Sequence, residues 1–330
     1  MSRHGNISVF VPHIGCPNRC SFCNQNTITG SLHTPTYEDV VKAVETASSH
    51  PGYSAENTEL AFFGGSFTKI DKTLMENLLS AGKEFVENKT VCGIRISTRP
   101  DGIDENILKT LKEYGVTAIE LGCQSMDDRV LGMNYRGHTK EDVIRASRLI
   151  KEYGFSLGLQ MMTGLYGDTD EGAIKTAKEI IALAPDTVRI YPTLVLKGTY
   201  LNSLYEGGKY SPQTVDGAAD LVARLLIMFE KTDIKVIRVG LHTVETDGFV
   251  AGPWHPAFGE ICQSRVLRAE ALKQIEENNI PKGNVKIFVP KGSLSKMKGV
   301  KKSNIEFFGS MGYNCSVYEH SESTISVIKD

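Results

Sequence analysis

The 330-residue sequence lacks several features that would assign it to a familiar class of protein. No apolar run approaches the roughly 20 residues that a membrane helix needs, which predicts no membrane span. The opening stretch MSRHGNISVFVP has no apolar segment of secretory type, which predicts a cytoplasmic protein. With a net charge of -2, the chain as a whole has no strong attraction to nucleic acid.

Cysteines are few and unevenly placed, and their odd number, seven, argues against a disulfide framework. Three of them, Cys16, Cys20 and Cys23, follow the first apolar run. A second C-x2-C pair is absent from the sequence, and only His13 lies near as a fourth donor for structural zinc. Three thiolates around a [4Fe–4S] cluster would leave one iron free for a substrate. We therefore predict an iron–sulfur site, with zinc and reactive or incidental thiols as alternatives.

Strand-like and helix-like segments alternate over the first 190 residues. The predicted strands are 7–12, 59–65, 92–98, 117–122, 155–162 and 187–193. Cys92 and Cys123 are assigned to apolar strands and are expected to be buried as small hydrophobic residues. The intervening helices are predicted to begin at Thr36, Asp71, Asp104 and Thr139. This alternation predicts an α/β fold with a parallel sheet, either barrel-like or open, whose chemistry gathers at the carboxyl ends of the strands.

The pattern loosens after Pro192. Residues 196–212 are rich in glycine and tyrosine and are predicted to form a loop or lid, whereas 235–241 resembles another strand. We place a core domain at 1–235 and an extension of mixed strands and helices at 236–330.

The spacing C-x3-C-x2-C, with Phe22 before the last cysteine, resembles the signature of the radical S-adenosylmethionine (radical SAM) superfamily. The resemblance implies a partial (β/α)6 TIM-like barrel with a small C-terminal α+β extension. It also implies that S-adenosylmethionine binds the open iron and is cleaved reductively to a 5′-deoxyadenosyl radical, which abstracts hydrogen from a substrate. An electron donor of flavodoxin or ferredoxin type would then be required.

The same resemblance suggests a cofactor pocket, because polar segments follow the predicted strands. Gly64, Gly65 and Ser66 would bind the methionine amino group. Gln124 would meet the ribose or methionine part and Arg136 the carboxylate. Two residues would complete the pocket, Ser97 and Gln160. The structural alternatives are a plain turn at Gly64 and Gly65, an ordinary polar residue at the strand end for Gln124, and a surface position for Arg136. For Arg99 and Asp101, a salt bridge is as good an interpretation as ligand binding.

Residues 1–240 further resemble the radical SAM core of the catalytic subunit of the tRNA-modifying Elongator complex, through segments such as ISTRPD, ELGCQS and YPTLVLKGT. Ser97 replaces a glutamate of that family, and we expect no acetyltransferase domain. The substrate is then expected to be tRNA, contacted through the seven lysines of Lys282–Lys302, unless those lysines form only a solvated surface. A small metabolite or porphyrin-like substrate is the alternative for an enzyme. A non-catalytic iron–sulfur or zinc scaffold is the alternative from another class.

Overall fold

The structure is a computed structural model that describes residues 5–11, 15–16, 19–24, 33–241 and 248–330. The chain divides into two compact units. One comprises residues 1–212 and 232–252, and the other residues 213–231 and 253–330. The boundary that we placed after residue 235 stays a prediction. Within the described residues, no helix is long and apolar enough to cross a bilayer.

A seven-stranded parallel sheet, curled into a half-barrel, is the centre of the first unit. All six predicted strands are present and are neighbours in sequence order, and the later strand 235–239 joins the sheet at its far edge. The strands are β1 (Gly5–Val11), β2 (Thr58–Gly64), β3 (Ile94–Thr98), β4 (Val116–Gln124), β5 (Ser156–Thr163), β6 (Thr187–Pro192) and β8 (Lys235–Val239). The α/β half-barrel predicted from the sequence is thus confirmed.

Helices connect most of these strands, as parallel pairing requires. The helices of this unit are α1 (Tyr37–Ser48), α2 (Lys72–Glu87), α3 (Glu105–Glu113), α4 (Asp128–Met133), α5 (Lys140–Glu152), α6 (Asp170–Leu183) and α7 (Tyr200–Glu206). The predicted starts at Thr36, Asp71, Asp104 and Thr139 are N-caps whose side chains accept backbone hydrogen bonds. Each cap fixes where its helix begins and thus how long the preceding strand-to-helix loop is.

The two faces of the sheet differ in character. Leu60, Ile96 and Ile119 belong to the fully buried apolar face. The other face carries small and charged side chains, among them Arg95 and Glu120. The first face supplies the hydrophobic core, and the second provides the polar interior that a site requires.

The segment 196–212 is more ordered than a loop. It contains α7, and the short strands β7 (Val195–Leu196) and β9 (Phe249–Ala251) pair antiparallel beside it. The prediction of an irregular loop over the whole segment is wrong, because Thr199 caps a helix whose Leu201 and Leu204 are buried.

The second unit packs helices against one face of a small sheet. Its elements are α8 (Val215–Glu230), α9 (Phe258–Glu277), β10 (Gly283–Pro290), α10 (Leu294–Lys298), α11 (Ser303–Ser310), β11 (Tyr313–His320) and β12 (Ser326–Lys329). The sheet order is β11-β10-β12, with β10 parallel to β11 and antiparallel to β12. Val285, Ile287 and Val289 of β10 pack into the apolar core of this unit.

Candidate active site

One cavity at the carboxyl ends of β2 to β5 gathers all the residues predicted to bind a cofactor. It has an empty volume of about 590 Å³, including its open mouth. Its lining includes the predicted residues Cys16, Cys20, Cys23, Gly64, Gly65, Ser66, Ser97, Gln124, Arg136 and Gln160. Positions more than 140 residues apart in sequence therefore share one site, as expected where parallel strands end together.

The loop that carries the cysteines is fixed by its middle residue. Ser21 donates from its backbone to the Asn134 carbonyl at 3.0 Å and from its hydroxyl to the Asn134 side chain at 2.6 Å. The Ser21 carbonyl accepts a hydrogen bond from Leu201 at 2.7 Å. These contacts hold Ser21, which lies between Cys20 and Cys23, against the end of α4 and the start of α7.

The three cysteines are free thiols, and burial disfavours the charged form of two of them, Cys16 and Cys23. Burial raises the pKa of Cys23 to about 12, with Cys20 and Cys16 adding repulsion. Burial also raises the pKa of Cys16, although a hydrogen bond from the Ser66 backbone partly offsets this. A metal that binds here must therefore displace protons, which makes its binding dependent on pH.

Three thiols are the ligand set of a [4Fe–4S] cluster that keeps one iron open. Among the residues that the structure describes, no three histidine, cysteine or carboxylate side chains converge on one ion position. A [4Fe–4S] cluster takes each thiolate on a different iron, so its ligands stand apart. His13, the fourth donor considered for zinc, lies outside the described residues.

The Gly64–Ser66 segment forms a narrow turn at the end of β2. Gly64 has a φ of +114°, and a Cβ atom there would lie 2.4 Å from the Val11 carbonyl oxygen. That oxygen accepts a hydrogen bond from Gly65 at 2.7 Å. The Ser66 hydroxyl lies 2.9 Å from the Thr98 hydroxyl, which anchors the turn to β3. Only glycine allows the backbone of this turn to face the cavity so closely.

Gln124 ends β4 in an unusual backbone conformation. Its φ is +66°, in the left-handed region, and the register between β4 and β5 shifts just before it. Its Oε1 atom is buried and has no hydrogen-bond partner. Strained backbone and unsatisfied polar atoms concentrate at functional sites, so both features are consistent with a ligand role.

Arg136 connects the cysteine loop to the sheet. Its Nη1 donates to the Sγ of Cys20 at 3.0 Å, and its Nη2 donates to the Gly122 carbonyl at 2.5 Å. The Nε atom is buried without a partner. The alternative of a surface arginine does not describe this side chain, which is 7% exposed.

Ser97 and Gln160 stand on neighbouring parts of the same wall. The Ser97 hydroxyl is buried without a partner. Gln160 donates its amide to Glu120 at 3.0 Å, which fixes the side chain against the strand interior. Glu120 is in turn bonded by Arg189 at 2.7 Å and by Arg95 at 3.3 Å. This buried ion network supports the cavity wall, and the sequence analysis did not identify it.

Arg99, whose role the sequence left open, lines the cavity and makes a salt bridge as well. Its Nε donates to Asp101 at 2.8 Å, but its Nη1 and Nη2 atoms are buried without partners. The side chain is only 4% exposed. Burying two charged donors unpaired is costly, so the arrangement indicates an anionic ligand. The signal in the sequence was an arginine directly after a predicted strand.

Three residues that line the cavity were not predicted from the sequence: Phe22, Thr98 and Gly122. The remaining cysteines lie elsewhere. Cys123 is buried in β4, as predicted. The same prediction for Cys92 is wrong, because β3 begins at Ile94 and Cys92 is exposed before it.

The chain is similar in sequence to curated proteins over about two thirds of its length. The chain is 26% identical over 250 residues to a tRNA uridine(34) acetyltransferase of Dehalococcoides mccartyi, covering 66% of this chain and 54% of that protein. It is 31% identical over 255 residues to Elongator complex protein 3 of Saccharomyces cerevisiae, covering 68% of this chain and 45% of that protein. The chain thus spans about half the length of these curated relatives.

A solved structure of an N-terminally truncated Elp3 from Methanocaldococcus infernus has a similar fold. Its TM-score is 0.65 at 24% identity, with 84% of this chain and 64% of that chain covered. A model for a radical SAM C-terminal domain matches residues 185–268. The model for the radical SAM superfamily matches residues 10–180. Since that match covers more than half of the sequence, the chain belongs to the radical SAM superfamily, whose enzymes use a [4Fe–4S] cluster and S-adenosylmethionine.

Proposed function

We propose that this chain is a radical SAM enzyme that modifies tRNA. The observation that carries the proposal is the single cavity, in which three free cysteines face a wall of buried, unpartnered polar groups. A non-catalytic scaffold has no need of such a pocket. The names of the relatives, a tRNA uridine(34) acetyltransferase and an Elongator protein, support tRNA as the substrate.

Different residues of the cavity would bind the iron–sulfur cluster and S-adenosylmethionine. Cys16, Cys20 and Cys23 would each hold one iron of the cluster. The Gly64–Ser66 turn would bind the methionine amino group of S-adenosylmethionine, while Gln124 would meet its ribose or methionine part. Two further residues would complete this side of the pocket, Ser97 and Gln160.

Two guanidinium groups are available for the cofactor carboxylate. Arg99 has two unpartnered Nη donors, a geometry suited to bidentate binding. Arg136 has only Nε free, because its terminal nitrogens are bonded to Cys20 and Gly122. Arg99 would therefore join Arg136 in the carboxylate site, whereas the resemblance assigned the carboxylate to Arg136 and left the role of Arg99 open.

When bound, the two cofactors supply a 5′-deoxyadenosyl radical that abstracts a hydrogen atom from the substrate. The protein positions the cofactors and excludes water, because Phe22 and the apolar residues packed around it close one side of the cavity. A reducing partner of flavodoxin or ferredoxin type would deliver the electron. The lysine segment Lys282–Lys302 would contact the phosphates of the RNA.

The substrate is tested by comparing modified nucleosides in tRNA from cells with and without the gene. We expect one modified nucleoside to disappear and to return with the wild-type gene. A Cys20→Ala gene should not restore it, whereas a Cys92→Ala gene should, since Cys92 lies outside the cavity. An unchanged nucleoside profile, with a changed small metabolite instead, would contradict tRNA as the substrate.

A further inference from the structure

The small sheet of the second unit has one covered face and one open face. Val285, Ile287 and Val289 point into the core of that unit. Because side chains alternate along a strand, the residues between them point the other way. The register places Lys286 beside Ser316 and Phe288 beside Tyr318. We call this surface the aromatic face; its principal residues are Asn284, Lys286, Phe288, Ser316, Tyr318 and His320.

Aromatic rings form a continuous group on this face. The Phe288 and Tyr318 ring centroids lie 5.6 Å apart at an interplanar angle of 30°. The His320 ring lies 6.2 Å from that of Phe288. Tyr318 is 44% exposed, so its ring has a surface open to solvent. Exposed rings grouped in this way are available to stack with a planar ligand.

Polar side chains surround the rings. Asn284 accepts a hydrogen bond from Asn314 at 3.0 Å across the two strands. Ser326 lies beside Phe288 on the other side. Ile328, 49% exposed, is the aliphatic residue of this group. A surface that alternates aromatic rings with amides and hydroxyls suits nucleobases better than an apolar protein helix or a lipid bilayer.

Lysines lie at both ends of the strand that carries this face. The segment 282–302 contains seven lysines and no acidic residue. Lys282 and Lys291 are exposed and flank the two ends of β10. Lys286, on the face itself, is paired with Asp330 at 2.7 Å. Within the part of the chain that the structure describes, Lys282 and Lys291 have no ion-pair partner, and the Glu319 carboxylate accepts a hydrogen bond from the backbone of Gly292, next to Lys291. The two lysines stand at the edges of the aromatic group, where a phosphate backbone would run if bases lay on the rings.

We infer that the aromatic face binds single-stranded RNA, with bases stacked on Phe288 and Tyr318 and phosphates held by Lys282 and Lys291. The inference rests on the proposed function, since it names a surface that would bind the RNA substrate. Neither matched family model covers this sheet, because the two matches end at residues 180 and 268. Unstacked bases, as in the loops of a folded RNA, are the form of RNA that such a sheet recognises.

The test measures binding of the reconstituted full-length protein to a single-stranded oligouridylate carrying 2-aminopurine, whose fluorescence falls on stacking. Phe288→Ala and Tyr318→Ala should each weaken binding by about tenfold, because each variant removes one ring on which a base would stack. Tyr318→Phe keeps the ring and should bind as the wild type does. Tyr205→Ala, which removes an exposed tyrosine of α7, is the matched control and should have no effect.

The salt dependence tests the lysines separately. Lys291→Gln should lower the slope of log affinity against log salt by about 0.7, as expected for one lost phosphate contact with a single strand. Equal binding of a duplex of the same length would contradict stacking. Absence of oligouridylate binding by the wild type would overturn the inference, and so would wild-type affinity in folded Phe288→Ala and Tyr318→Ala proteins. Concentration-dependent dimerisation lost in Tyr318→Ala, without RNA binding, would assign the face to a second copy of the chain.

These outcomes are distinguishable from a failure of the proposed function. Cleavage of S-adenosylmethionine depends on the cavity, so Phe288→Ala and Tyr318→Ala should retain it at the wild-type rate. Oligonucleotide binding with the expected variant pattern but without cofactor cleavage would overturn the enzyme proposal alone. Cofactor cleavage without oligonucleotide binding would overturn the inference about the aromatic face alone.

Discussion

Arg136 donates a hydrogen bond from its Nη1 atom to the Sγ of Cys20 at 3.0 Å. The two residues are 116 positions apart, and the contact joins the cysteine loop to the end of α4. Hydrogen bonds to ligand sulfurs and nearby positive charge are among the features that set the potential of an iron–sulfur cluster. In the proposed site, the same arginine would influence both the cluster and the cofactor, and Arg99 would share the binding of the carboxylate.

Replacing Arg99 tests whether it shares the binding of the cofactor carboxylate with Arg136. Arg99→Gln removes the two unpartnered Nη donors and should weaken S-adenosylmethionine binding by about 10- to 100-fold, because hydrogen bonds between charged groups contribute roughly 1.5–3 kcal/mol. Anaerobic calorimetry on the reconstituted protein measures the affinity. Arg148→Gln, which alters an exposed arginine of α5, should bind the cofactor normally. Unchanged affinity in Arg99→Gln would remove Arg99 from the carboxylate site.

The turn after β2 should tolerate no side chain at Gly64. An added Cβ would meet the Val11 carbonyl oxygen at 2.4 Å, and a φ of +114° is unfavourable for alanine. Gly64→Ala should lower the free energy of unfolding by about 1–3 kcal/mol or more and displace the cofactor turn. Gly132→Ala is the control, because a Cβ in α4 meets nothing within 4 Å and should be neutral or stabilising. Chemical denaturation followed by circular dichroism compares them, and equal stability would refute the strain argument.

Glu120 should be essential for the stability of the sheet. Its carboxylate is 1% exposed and pairs with both Arg95 and Arg189. Glu120→Gln leaves the buried Arg189 without its carboxylate partner and leaves Arg95 paired with Glu59 alone, and we expect a loss of about 3 kcal/mol in unfolding free energy. Glu152, which forms an exposed ion pair with Arg148, provides the comparison. Glu152→Gln should lower the free energy of unfolding by less than about 0.5 kcal/mol. A small effect at Glu120 would mean that water screens the network.

His138 should make the protein less stable in mild acid. Burial lowers the pKa of His138 from 6.5 to about 4, with repulsion from Arg136 and Arg99 as further causes. Between these values the unfolded chain binds the proton and the folded protein does not, so stability is complete above pH 6.5 and falls as pH drops towards 4. The loss should reach about 3 kcal/mol.

Unfolding titrations at several pH values measure this effect. The pH dependence should shrink in His138→Gln, which cannot take up the proton. It should persist in His50→Gln, where an exposed histidine is changed. Identical pH dependence in the wild type and His138→Gln would show that other groups cause the acid sensitivity.

Local patterns in the sequence predicted much of this fold. Strands and helix starts were predictable because apolar periodicity and caps such as Thr36 act within a few residues. The cysteines were found from their spacing, and the other pocket residues from the resemblance of their segments to the radical SAM superfamily. The Glu120 network was not predictable, since its partners come from separate strands and their pairing depends on the register. The left-handed backbone of Gln124 has the same origin, a shift in register between β4 and β5.

The central claim is that Cys16, Cys20 and Cys23 hold a cluster that activates S-adenosylmethionine in this cavity. The most direct measurement is the release of 5′-deoxyadenosine by anaerobically reconstituted protein given dithionite and S-adenosylmethionine. The wild type should contain about four irons per chain and release the product, and Cys92→Ala should match it. Cys20→Ala should do neither. A protein that binds only zinc, or that carries the cluster and never cleaves the cofactor, would contradict the account.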